Sequence, residues 1–154
     1  MYGDERAVAL QVGAVVLFAF VVINLAYFQA VAIPEQNAEV EQQHNQAVNN
    51  QLIEFSGVLT RSLTVGDAGA QQLQLGTTYP ARTFGRNAPP PSGRLVRTES
   101  TQQYQLDGTP VACGGVTPTG GFVEYRIDYN YYGESPPLVV ENTIVYRDAG
   151  EAYL

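Results

Sequence analysis

Three hydrophobic patterns follow one another along the chain. Residues 7–33 are apolar almost without interruption, with no charge and amide side chains only at Gln11, Asn24 and Gln29. A helix of that length spans roughly 40 Å, enough to cross a ~30 Å hydrocarbon core with both ends among the headgroups. After Pro34 the period changes: Val40, His44, Val48, Leu52, Phe55, Leu59 and Leu63 recur at steps of three or four, the stripe of an amphipathic helix. The stripe is thin at first, among Gln42, Gln43, Asn45, Gln46, Asn49 and Asn50, and dense after Leu52. That predicts a solvated stalk that becomes one wall of a core, ended by Gly66 and Gly69.

Past residue 70 the pattern is one of strands and turns. "QLQLGT" alternates, a Pro- and Gly-rich loop "TTYPARTFGRNAPPPSG" follows, and "GRLVRTES" and "QYQLDGTPVAC" read as weaker strands with a turn at Asp107-Gly108. In "FVEYRIDYNYY", Val123, Tyr125, Ile127, Tyr129 and Tyr131 fall on one face, with Glu124, Arg126, Asp128 and Asn130 on the other. "LVVENTIVYRD" is expected to pair back with Leu138, Val140, Ile144 and Tyr146 on one face. The expected fold class is α+β: a long N-terminal helix, transmembrane part plus amphipathic stalk, then a small antiparallel β-sheet domain packed on the end of the helix. The expected segments are a leader at 1–6, the apolar helix at 7–33, the stalk at 34–65 and the β domain at 70–154. The closing "GEAYL" reads as mid-strand, so the chain is expected to be a fragment, with the β domain incomplete at its C-terminus.

A secretory signal has an apolar stretch of about 7–15 residues before a small-residue cleavage site. Here the apolar run is longer and "AVAI" meets Pro34, which fits a retained anchor. Arg6 precedes the span and the next basic residue is Arg61, so the N-terminus is expected inside and residues 34–154 outside. Tyr27 and Phe28 suit the outer interface. Asn24 is expected either to join a helix–helix contact or to be satisfied near that interface, and Gln29 to be satisfied there.

Charge narrows the partners. Net charge is −7, there is no lysine, and beyond Ile33 there are 13 acidic residues against 7 Arg. Such a surface repels phosphates and argues against nucleic acid. An acidic, lysine-free composition suits high-salt cells or a GC-rich genome, and both point to a haloarchaeal type of source. The single cysteine, Cys113, excludes a disulfide within the chain; it reads as a small buried hydrophobe or as a thiol that pairs with another chain.

Candidate chemistry is sparse. Glu124, Asp128 and Glu141 can converge across a hairpin as paired carboxylates, but a solvated acidic face interleaved with Arg126 is the simpler reading. His44, near Glu39 and Glu41, has no second His or Cys within reach for a metal site. Gly114-Gly115 and Gly120-Gly121 lack the flanks of a phosphate loop. Arg82, Arg86 and Arg94 flank Pro89, Pro90 and Pro91, a docking loop or a rigid surface connection. No enzyme activity, cofactor or metal is expected.

"RAVALQVGAVVLFAF" resembles the start of haloarchaeal type IV pilins. The resemblance implies a leader-peptidase cut flanked by Arg6 and Ala7, a mature N-terminus at Val8, and Gly13 as the early helix-packing glycine, with Asn24 a further packing candidate. The Ser-Pro pair common there is replaced by Ala9 and Leu10, and Gln11 is unusual. "IPEQNAEVEQQHNQAV", "LGTTYPARTFGRNAPPPSG" and "LVVENTIVYRDAG" resemble haloarchaeal membrane-anchored extracellular proteins of uncharacterised function. Two expectations stand side by side. One is a non-enzymatic pilin-like structural subunit, anchored or polymerised through its apolar helix by self-association or contact with other membrane and surface proteins. The other is a single-pass anchored binding module or accessory subunit.

Overall fold

The computed structural model describes residues 3–103, 105–107, 109–110, 119–133 and 135–150. It is an α+β structure: one long N-terminal helix followed by a four-stranded antiparallel sheet. The helix runs as α1 (Gly3–Tyr27), a π-helical turn (Phe28–Ala32) and α2 (Ile33–Val65). The π turn has a local cause. Pro34 has no N–H to donate, and its ring crowds the carbonyl one turn back, so the ladder loosens just before it. The Ile33 N–H accordingly reaches the Phe28 carbonyl, five residues away. At the other end Gly66 takes φ 74° and its N–H bonds the Ser62 carbonyl at 3.0 Å, a left-handed stop.

Strands β1 (Arg94–Gln103), β4 (Thr119–Arg126), β5 (Leu138–Glu141) and β6 (Ile144–Arg147) form the sheet in the order β1-β4-β5-β6. β2 (Gln105–Leu106) and β3 (Thr109–Pro110) form a separate two-stranded antiparallel ribbon. The core lies between the sheet and α2: Val48 and Leu52 meet Tyr125, Ile127, Leu138 and Val140, with Phe55, Leu59, Leu73, Tyr129 and Val145 packed around them.

Four sequence expectations are corrected. "QLQLGT" is not a strand; only Gly76 makes an isolated bridge, to Ser92. The strand expected through Tyr131 stops at Arg126, because the backbone beyond it turns its N–H groups to α2. "LVVENTIVYRD" is two strands, not one. Asn142 and Thr143, at φ 47° and 70°, form a two-residue turn that pairs Val140 with Val145 and Val139 with Tyr146. The two-residue turn breaks the even period: Val145 lies opposite Val140 and faces the core, while Ile144 and Tyr146, expected there, fall on the outer face.

The fourth correction concerns the stalk. Its buried face is Ile33, Asn37, Glu41, His44, Asn45, Val48 and Leu52, so polar side chains are enclosed where a solvated stretch was expected. Leu63, expected on the buried stripe, is exposed. Cys113, Gly114-Gly115 and the final "EAYL" lie outside the described residues.

Candidate functional site

The enclosed polar face of α2 is held by a clasp made of the 77–91 loop and the segment after β4. Glu41 is fully buried. Its Oε2 accepts the N–H groups of Tyr131 at 2.8 Å and Tyr132 at 2.7 Å. Its Oε1 accepts the Asn130 N–H at 3.0 Å and the Tyr79 hydroxyl. The Asn130 side-chain amide ties this knot to the loop, donating to the Tyr79 hydroxyl at 2.8 Å and to the Pro89 carbonyl at 2.9 Å. Burial, and then the bond to Glu41, push the Tyr79 phenol up to about 12. A carboxylate with four donors already in place is a structural acceptor, not a base aimed at a substrate.

His44 is committed in the same way. Its Nε2 lies 3.1 Å from the Gln74 carbonyl, which can only accept, so Nε2 carries the proton. Its Nδ1 then accepts from the Tyr129 hydroxyl at 2.8 Å. Burial lowers the imidazole pKa and favours this neutral form. Among the described residues no group of three or more His, Cys, Asp and Glu side chains comes together to hold a metal.

Toward α1 the clasp continues through Arg82. It donates to Gln36 at 2.7 Å, to Asn37 at 3.0 Å and to Asn87 at 2.8 Å, while Asn87 donates to the Pro80 carbonyl at 2.8 Å. Gln29 closes the last rung, donating to the Arg86 carbonyl at 2.9 Å and accepting the Arg86 N–H at 2.8 Å. Gln29, expected to be satisfied by the interface, instead reads a peptide group of its own head. On the sheet side Asn45 donates to the Ser135 hydroxyl and accepts from Arg147 at 2.8 Å.

The remaining residues singled out in the sequence fall as follows. Pro91 is buried, and Arg94 opens β1. Glu124 lies nearly buried on the outer sheet face, paired with Arg126 at 2.6 Å. Glu141 accepts from Tyr146 at 3.1 Å, and Asp128 lies past the end of β4. Arg6 and Ala7 fall within the first turns of α1 with Val8 exposed after them. A Cβ added at Gly13 would meet nothing within 4 Å, and Asn24 donates to the Phe20 carbonyl at 2.7 Å.

The second surface is α1 itself. Its side chains from Val8 to Tyr27 are exposed, Leu10, Leu17 and Phe18 among them. Its apolar window has mean hydropathy 2.5, and the helix is long and apolar enough to cross a membrane. No known family profile matches the chain, and no solved structure matches it. The chain is similar to an uncharacterised protein of Archaeoglobus fulgidus, 26% identical over 154 residues that cover 98% of this chain and 26% of that protein. It thus spans about a quarter of that relative's length.

The clasp residues Asn37, Glu41 and Asn45 escape a reading that assigns burial to apolar side chains, whereas His44 lies on the expected stripe. The signal was their spacing: Asn37 and Glu41 continue Ile33 at steps of four, and Val48 and Leu52 extend the row from His44.

Proposed function

We propose that this chain is a non-enzymatic cell-surface structural subunit of the type IV pilin-like kind, held by α1 in a membrane or a filament core and displaying its β head outward. The observation that carries the reading is the contrast along one continuous helix. The apolar surface of α1 is left uncovered by the described rest of the chain, while α2 is locked to the head through Glu41 and Arg82 and the π turn before it through Gln29. The committed states of Glu41, His44 and Glu124 support a role without catalysis. The test is the intact mass and N-terminal sequence of the protein from its native membrane, with sheared surface fractions probed for the chain. A start at Val8 and presence in sheared filaments are expected; a start at Met1 or Tyr2 with none in filaments overturns the reading.

A second reading, a single-pass anchored module or accessory subunit, is favoured by one feature. The head reaches down the helix to Gln29, at the end of the apolar run, which suits a domain seated on a bilayer.

A further inference from the structure

The tip of the 77–91 loop is fixed against the helix at one height. Arg82 holds its base to Gln36 and Asn37, and Gln29 holds the Arg86 peptide from both sides. Between them Gly85, at φ 91°, passes so close that an added Cβ would collide with Ile33 Cδ1 and lie 2.7 Å from Gln29 Oε1. The tip therefore cannot ride up or down the helix independently.

Its height relative to a membrane follows from helix geometry. The uncharged run lies between Arg6 and Glu35. A ~30 Å hydrocarbon core takes about 20 helical residues, which centred on this run ends close to Gln29. Tyr27 and Phe28 mark the same level, where aromatic rings favour the interface. In the loop tip, next in sequence to the Gly85 that packs on Gln29 and Ile33, Phe84 is 69% exposed, the barest aromatic ring among the described residues of the head. An exposed Arg86 follows it two positions on.

We propose that Thr83–Arg86 is a second membrane contact: Phe84 enters the headgroup–acyl boundary of the bilayer that α1 crosses, and Arg86 meets a lipid phosphate. This rests on α1 lying in a membrane. An aromatic ring with a neighbouring Arg is the pairing that suits this boundary, with the ring below and the charge reaching up to the headgroups. The head is thereby held at two points, one covalent and one adsorbed, and lies on the bilayer instead of standing off it.

The chain has no tryptophan, so a single introduced indole reports one position. The experiment reconstitutes the full chain in phosphatidylcholine vesicles whose lipids are brominated near the carbonyl end of the acyl chain. Three variants are compared: Phe84→Trp, Tyr27→Trp in α1, and Tyr146→Trp on the outer sheet face. Phe84 is exposed at a loop tip, so its replacement leaves folding intact. Expected is quenching of Phe84→Trp within about twofold of Tyr27→Trp, as two residues at one interface require, with Tyr146→Trp unquenched. Quenching of Tyr27→Trp alone overturns the loop contact and leaves the anchor standing. Quenching of neither overturns the anchor reading and the proposal with it. A blue-shifted but unquenched Phe84→Trp means that another protein chain covers the tip, which also overturns the proposal.

Discussion

α1 and α2 are one helix with opposite solvent rules. From Val8 to Tyr27 α1 presents a surface outward that is apolar apart from Gln11 and Asn24; α2 turns Asn37, Glu41, His44 and Asn45 inward and leaves Leu63 and Val65 exposed. The difference lies in what each segment is covered by. α1 has no protein cover and suits a medium without hydrogen bonds, so its backbone bonds itself and its side chains are apolar. α2 is covered by irregular loops, whose peptide groups need partners once buried, and polar side chains supply them. Glu41 alone accepts three main-chain N–H groups from a stretch with no strand to bond to.

The sharpest way to break this comparison is Glu41→Ala. It leaves three amides and a phenol without an acceptor and should cost the head about 3–5 kcal/mol. Chemical denaturation of the full chain in detergent, followed by near-ultraviolet circular dichroism of its tyrosines, checks this. Loss below about 1 kcal/mol would mean that water replaces the carboxylate and the clasp is not a stability element. Next comes a matched pair of truncations. Leu52→Ala, fully buried, should cost about 2–5 kcal/mol, whereas Leu17→Ala in α1 should leave head stability within about 0.5 kcal/mol in the same assay. Equal losses would show that the two halves of the helix are one cooperative unit.

Arg82→Ala, at a partly exposed site, should cost about 1–2 kcal/mol and release the loop from α2. Faster amide exchange at Arg86, with exchange at Tyr131 unchanged, is the signature that separates local release from global loss. The smallest effect is on acid stability. The His44 pKa is lowered by burial from 6.5, so below that value the unfolded chain binds a proton that the folded chain refuses. Stability is full above about pH 6.5 and declines as pH falls through it; His44→Gln should flatten that limb, and an unchanged slope would assign it to other groups.

Much of the architecture was readable because it rests on periodicity. The uninterrupted apolar run, the period of three to four after it and the alternation around Tyr125 each specify an element and its face. Two kinds of feature were not readable. The Asn142-Thr143 turn hid because a two-residue turn with both φ positive normally advertises itself with Gly, and Thr is β-branched and costly there. The clasp hid because a buried carboxylate is identified by donors distant in sequence: Tyr79, 38 positions away, and Tyr132, 91 away. No local pattern around "AEVEQQHNQ" records where those donors come from.

The π-helical turn has a consequence for azimuth. One π turn holds one residue more than the α-helix would, and each residue advances about 100° around the axis. Phe28–Ala32 therefore acts as an index between the two halves, setting which compass bearing of α1 lies beneath the sheet. The turn takes up that residue by widening, whereas one residue added to or removed from the regular α geometry on either side of it would swing the head by roughly 100° about the helix axis. Neighbours that meet α1 by its Gly13 or Asn24 bearing would then meet a different side of the head.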